Sequence, residues 1–214
     1  MGQLTIKPVI SLTGLTCVTT IGSPVVTSAA LFGSVTVGMP VIGAGIPFNS
    51  VVDIVTSTSS ITLKDSQTGE QAVARATSGG TTLQFGYFTA AAYADGDTLG
   101  IPMRVPFRIL RNIVVVDSAK QIKKLRLYFF SKMFTQIADN AAWAPSAADM
   151  VNLIGQIVID QLQGETNANV ITEAPTVLPL DLGGRDIVYC QATVEGDTPT
   201  FSSVSNIAIS FSGD

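Results

Sequence analysis

Asp139, Asp149 and Asp160 are the residue type that glycoside hydrolysis uses in pairs, with two carboxyl groups about 5 to 9 Å apart across a sugar. Nothing in their spacing enforces such a meeting, and two of them suit capping and turn roles. Asp95-Gly96-Asp97 offers two carboxylates of the kind calcium accepts, but too few further acids lie nearby to complete its shell. As a turn the same triplet needs no metal, because Asp bonds its own backbone and Gly supplies positive φ. Ser131-Lys132 has the residue types of Ser-Lys chemistry, yet neighbours on an expected strand point to opposite faces. Cys17 and Cys190 are too far apart in sequence for a CxxC redox pair or a zinc half-site, and are expected as two reduced interior thiols. The chain has no histidine, which removes the usual general base, the usual triad member and the commonest metal ligand. No catalytic, cofactor-binding or metal-ligating residue is assigned, and no cofactor is expected.

Charge is segregated along the chain. Eight of the twelve basic residues fall between Arg104 and Lys132, whereas ten acids follow from Asp139 onward against Arg185 alone. One reading is a polar molecule docking its basic side on an acidic neighbour, which sets register and on-rate more than affinity. The other is two solvated sheet faces that neutralise each other within one domain. The run Lys124-Leu125-Arg126-Leu127-Tyr128-Phe129-Phe130 interleaves cations with aromatics as single-strand binders do, but strand alternation buries about half of it. With a net charge of −4, neither a specific nucleic acid nor an anionic membrane is an expected partner.

The elements that would position these residues are strands. Between Lys7 and Asp53 no acidic or basic side chain occurs, while Pro24, Pro40, Pro47 and several glycines interrupt the stretch. A membrane helix needs about 20 apolar residues on an intact backbone ladder, and here Thr, Ser and Gly alternate with Val and Ile instead. Charged residues make up only 13% of the chain, about half the usual share for a soluble domain. So much neutral surface on 214 residues implies that part of it lies against another subunit. Met1 to Lys7 leads into a β-like segment and lacks the apolar run and cleavage site of a secretory signal.

Residues 3–11 read as a first strand, with Pro8 confining it to an edge or an irregular position. From Leu12 to Gly86 short β-runs follow closely: TCVTT, SVTVG, SVVDIVTST, SITLKD, QAVARAT and TTLQFG. Turn signals at Gly22-Ser23-Pro24, Gly43-Ala44-Gly45, Ile46-Pro47 and Ser78-Gly79-Gly80 separate them. Residues 1–86 are therefore expected as a small barrel-like β-module, with residues 1–11 free to pair with the second sheet. From residue 87 to 214 the expectation is an antiparallel, jelly-roll-like β-sandwich with strands near 103–109, 112–118, 123–131, 153–161, 185–194 and 205–212. A helix of about two turns follows Pro145, with Ser146 as cap, Asp149 completing a capping box and Met150, Leu153 and Ile154 as its apolar stripe.

Two sets of segments carry a resemblance. The first is Gly38-Met39-Pro40-Val41-Ile42-Gly43-Ala44-Gly45-Ile46-Pro47, followed by Ser60-Ile61-Thr62-Leu63 and Thr81-Thr82-Leu83-Gln84-Phe85-Gly86. It is similar to a small β-module that recurs in virion proteins of tailed bacteriophages. The second joins Tyr93-Ala94-Asp95-Gly96-Asp97-Thr98-Leu99-Gly100 to Asp139-Asn140-Ala141-Ala142-Trp143-Ala144-Pro145-Ser146-Ala147-Ala148-Asp149 and Ile154-Gly155. It resembles a group of phage structural proteins in which Phe is more frequent at the position of Trp143. The resemblance implies a non-enzymatic virion component, a capsid decoration or cement protein that bridges neighbouring copies of the major capsid protein. It would be a homotrimer or homodimer on the capsid surface, assembled in the host cytoplasm. Three alternatives remain: a tail, baseplate or head-to-tail connector component; a host-glycan-binding module, for which one Trp and four Tyr are few; and a cell-wall hydrolase, which the missing histidine disfavours.

Overall fold

The computed structural model describes residues 2–6, 12–30, 32–33, 35–66, 68–86, 92–105, 109–135, 137, 139–160, 169–173, 178–179, 188–196, 198–201 and 207–213. The chain forms two compact units, one of Met1–Ile10 with Phe88–Asp214 and one of Ser11–Tyr87. Tyr87, the expected boundary, lies outside the described residues, as do residues 7–11 of the expected first strand. In chain order, β1 (Gly2–Ile6) belongs to the first unit. The second unit holds β2 (Leu12–Thr19), β3 (Val25–Ser28), β4 (Val41–Ile42), β5 (Ser50–Ser57), β6 (Ser60–Asp65) and β7 (Ser78–Phe85). The first unit resumes with β8 (Thr98–Val105), β9 (Ile109–Asp117), β10 (Lys124–Phe130), α1 (Ala147–Met150), β11 (Leu153–Asp160), β12 (Asn169–Glu173), β13 (Leu178–Pro179), β14 (Val188–Glu195) and β15 (Ile207–Gly213).

The Ser11–Tyr87 unit is a six-stranded antiparallel sheet in the order β4-β7-β2-β3-β6-β5. A bridge between Pro40 and Val51 draws its two outermost strands together, so the sheet is a nearly closed barrel. Closure leaves few unpaired backbone groups for another chain to find. Alternation sends Val26, Val52, Ile61, Leu63, Leu83 and Phe85 inside, where Phe32 meets Phe85 edge to face at 5.6 Å. Its buried polar groups are hydroxyls that end on backbone carbonyls: Thr19 on Ala76, Ser28 on Thr16 and Ser50 on Pro47.

Two of the expected runs here are not strands. In SVTVG, whose Ser34 lies outside the described residues, 35–38 turn instead of extending, with Met39 N–H donating to Thr36 and Gly38 held at φ 88°. In QAVARAT, Ala72 and Ala74 are buried and their neighbours exposed, as alternation predicts. But Ala72 donates to Leu63 and Ala74 to Ser23, so the segment crosses from one partner to another and builds no ladder. Conversely, Val25–Ser28 and Val41–Ile42 are strands, and Ser78-Gly79-Gly80 opens β7 where a turn was expected.

The other unit is a sandwich of two antiparallel sheets, ordered β1-β15-β9-β12 with β13 also on β9, and β11-β10-β14-β8. β1 pairs with β15 from Gly2–Gly213 to Ile6–Ile209. Inward residues alternate cleanly, with Ile113 and Val115 in β9, Ile209 and Phe211 in β15, and Leu125, Leu127 and Phe129 in β10, each almost fully buried. The expected strand at 103–109 is instead the end of β8 and the start of β9, with residues 106–108 outside the described set. α1 is a single turn rather than two, because Leu153 and Ile154 belong to β11, and Met150 is 39% exposed.

Candidate functional site

Two of the three acids suited to paired chemistry hold structure instead, and the third lies exposed at a strand end. Asp139 is buried; both of its oxygens accept from Tyr93 Oη at 2.9 Å, and Oδ1 also accepts from the Gly100 N–H at 2.6 Å. Asp149 closes the capping box with Ser146 and accepts from the Thr135 N–H at 3.0 Å. The Ser146 hydroxyl and the Thr135 amide hold its carboxyl below the usual range. Asp160 is exposed at the end of β11, in register with Lys124. Ser131 follows β10 and its hydroxyl donates to the Asn152 carbonyl at 3.2 Å, while Lys132 is exposed. Cys17 and Cys190 are free and buried, one in each unit, and burial raises both thiol pKa values. Among the described residues no group of three His, Cys, Asp or Glu side chains could hold a metal.

Asp95-Gly96-Asp97 is a turn. Asp97 accepts from the Ala94 N–H at 2.7 Å, Asp95 from the Gly196 N–H at 2.8 Å, and Gly96 sits at φ 86°, where a side chain would be strained. This turn meets the segment that begins at Asp139. Thr98 N–H donates to Ala141, Asn140 N–H to Thr98, and Trp143 N–H to Gly96, with Asp97 bridged to Ala142. The two segments singled out about 40 residues apart in sequence thus form one hydrogen-bonded knot at the start of β8. Trp143 then stacks on Tyr128 at 4.9 Å and meets Phe134 edge to face at 5.8 Å. It is a half-buried anchor fastening the loop to β10.

The basic cluster is partly neutralised at home. Lys124 and Arg126 on β10 both reach Glu195 on β14, the arginine through two nitrogens, and that contact holds the Glu195 carboxyl below its ordinary range. Tyr128 is raised by burial and carries its ring against Trp143. The neutral reading of the segregated charge therefore holds for these residues.

Sequence reasoning missed two of the structural groups. Asp117 is completely buried at the end of β9, and its carboxylate accepts from the backbone of Ala119, Gln121 and Ile122. An Asp-Ser step ending an apolar strand was a usable turn signal. Gln191 is also buried, donating to Leu99 and Gly100 across a bulge in β14, and nothing in the sequence marks it.

What remains available is the outer face of the barrel. Ten large hydrophobic side chains are exposed among the described residues, and seven of them, Val18, Ile21, Val25, Val37, Ile54, Val55 and Val73, belong to the Ser11–Tyr87 unit. Register places Val18 opposite Thr27, and Val25 opposite Thr62, which in turn faces Ile54. These residues share one side of β2, β3, β6 and β5, and no charged residue occurs in β2 or β3. The nearest ion pair is Lys64 with Asp53 at 3.0 Å. Threonines alternating with exposed Val and Ile form a surface with little reason to prefer water over a neutral partner.

The fold class is thus an all-β protein of two units, a barrel-like module and a sandwich. No family model matches the chain, and no curated protein or solved structure shows significant similarity to it.

Proposed function

We propose that this protein is a non-enzymatic structural component of a tailed-phage virion, a decoration or cement protein whose barrel unit seats on neighbouring major capsid subunits. One observation carries the reading: exposed aliphatic side chains concentrate on a β-barrel face whose strands β2 and β3 carry no charged residue, while Asp139 and Asp149 are engaged as structural hydrogen-bond acceptors. The phage-like segments add to it, since the turn at 95–98 and the segment 139–143 in the second set converge on one hydrogen-bonded knot in the sandwich unit. Bridging adjacent capsid subunits through a neutral face would oblige shell expansion or internal DNA pressure to break those contacts before the shell opens.

The test is the copy number of the chain in purified virions, measured by quantitative mass spectrometry against the major capsid protein. A value near one per capsid subunit, or a simple fraction of it, supports decoration. A handful of copies moves the protein to the tail, baseplate or connector, and absence from the particle overturns the virion assignment. Replacing Val25 and Ile54 with Asp would abolish binding to undecorated capsids while leaving the fold intact.

A further inference from the structure

The barrel is threaded into the sandwich chain between β1 and β8, and the way its ends are held bears on how the molecule folds. β2 and β7 are neighbouring antiparallel strands with Leu12 in register with Phe85. Such partners stand about 5 Å apart, so the chain enters and leaves the barrel side by side. The barrel's ladder is also complete in itself. Each of its six strands pairs within Ser11–Tyr87, and the Pro40–Val51 bridge joins the two ends of the sheet. It has its own interior, centred on Ile61, Leu63, Leu83 and Phe85, each at most 1% exposed. The sandwich is likewise completed across the insertion, because β1 finds its partner in β15 at the far end of the sequence.

We infer that the Ser11–Tyr87 barrel is an autonomous folding unit, inserted as a cassette, whose opening and unfolding are energetically uncoupled from the sandwich that hosts it. A self-complete sheet and a private core give its amides their own opening equilibrium. Ends pinned side by side add little strain to the host when the barrel opens, since only a loop is lengthened, and loop-closure entropy grows slowly with length.

The full-length chain tests this, because its single tryptophan, Trp143, lies in the sandwich and reports that unit alone. Hydrogen exchange followed by mass spectrometry reads the amides of β2–β7 separately. Leu63→Ala, in the barrel core, is expected to speed exchange of β2–β7 about a hundredfold while leaving the denaturant midpoint of Trp143 fluorescence in place. Leu127→Ala, in the sandwich core, is expected to do the reverse. If Leu63→Ala leaves the barrel unfolded but the Trp143 transition unchanged, uncoupling is equally supported. A Trp143 midpoint that falls together with barrel protection, in Leu63→Ala or in the milder Leu63→Val, overturns the inference and makes the chain one cooperative unit.

Discussion

The barrel and the sandwich satisfy their buried polar side chains with different chemistry. All three buried polar side chains described in the barrel are hydroxyls, Thr19, Ser28 and Ser50, each donating to a carbonyl. The sandwich adds carboxylates: beside buried Thr98, Gln191 and Thr193, it buries Asp117, Asp139 and Asp149, and each of these acids accepts from backbone amides. The difference follows from topology. A nearly closed sheet satisfies its amides by strand pairing and needs only an occasional hydroxyl. Two open sheets joined by irregular loops leave groups of orphan N–H donors, and a carboxylate can take several at once. The lesson is that acid should reach the sandwich first, because it is there that the Asp149 and Glu195 carboxyls are held below their ordinary range.

The largest effect should come from Asp117, which terminates three amides in a fully buried site. Asp117→Ala is expected to destabilise the sandwich by about 3 kcal/mol, read by chemical denaturation through Trp143, because three amides lose their acceptor at once and that of Ile122 is buried away from water. Barrel amide protection should not change. A barrel counterpart is Gly43→Ala. A Cβ there would run into Leu83 Cδ2 and stand 3.0 Å from the Thr82 carbonyl, so the buried Leu83 side chain must repack, at about 2 kcal/mol to the barrel alone. Unchanged exchange in β2–β7 for this variant would contradict the packing described.

Acid sharpens the contrast. Arg126 lowers the Glu195 carboxyl, and Ser146 and Thr135 lower that of Asp149, so both are more acidic folded than unfolded. Their stabilisation is complete above the ordinary carboxylate range and is lost as pH falls through the depressed folded values. The Trp143 transition should therefore weaken in acid before barrel exchange rises. Glu195→Gln should cost about 1 kcal/mol or less near neutrality, and the cost should vanish in acid, which a pH series of denaturation midpoints would reveal. The smallest stability effect belongs to the barrel's outer face, where Val25→Thr is expected to change the isolated chain by less than about 0.5 kcal/mol in thermal unfolding.

Local signals were the legible ones. The Ser146–Asp149 capping box and the Asp95-Gly96-Asp97 turn depend on neighbours within a few residues, and both form as read. Strand alternation likewise located β10, β11 and β15 to within a residue or two. Alternation misled in QAVARAT, because burial repeats every second residue whether or not one continuous partner strand is present. The helix was read too long because Leu153 and Ile154 suit an apolar stripe and a strand equally well.

By itself, then, the sequence determined that the protein is all-β, that charge is absent between Lys7 and Asp53 and gathers later, and where turns such as Asp95-Gly96-Asp97 lie. Those properties reside in single residues and their immediate neighbours. Only the tertiary structure decided that Asp139 answers Tyr93 and Gly100, that Glu195 answers Lys124 and Arg126, and that Val18, Val25 and Ile54 share one outer face. Each of these rests on strand register and on contacts far apart in the chain. A one-residue slip in pairing would turn every such side chain to the opposite face, and no local preference in the sequence specifies which register wins.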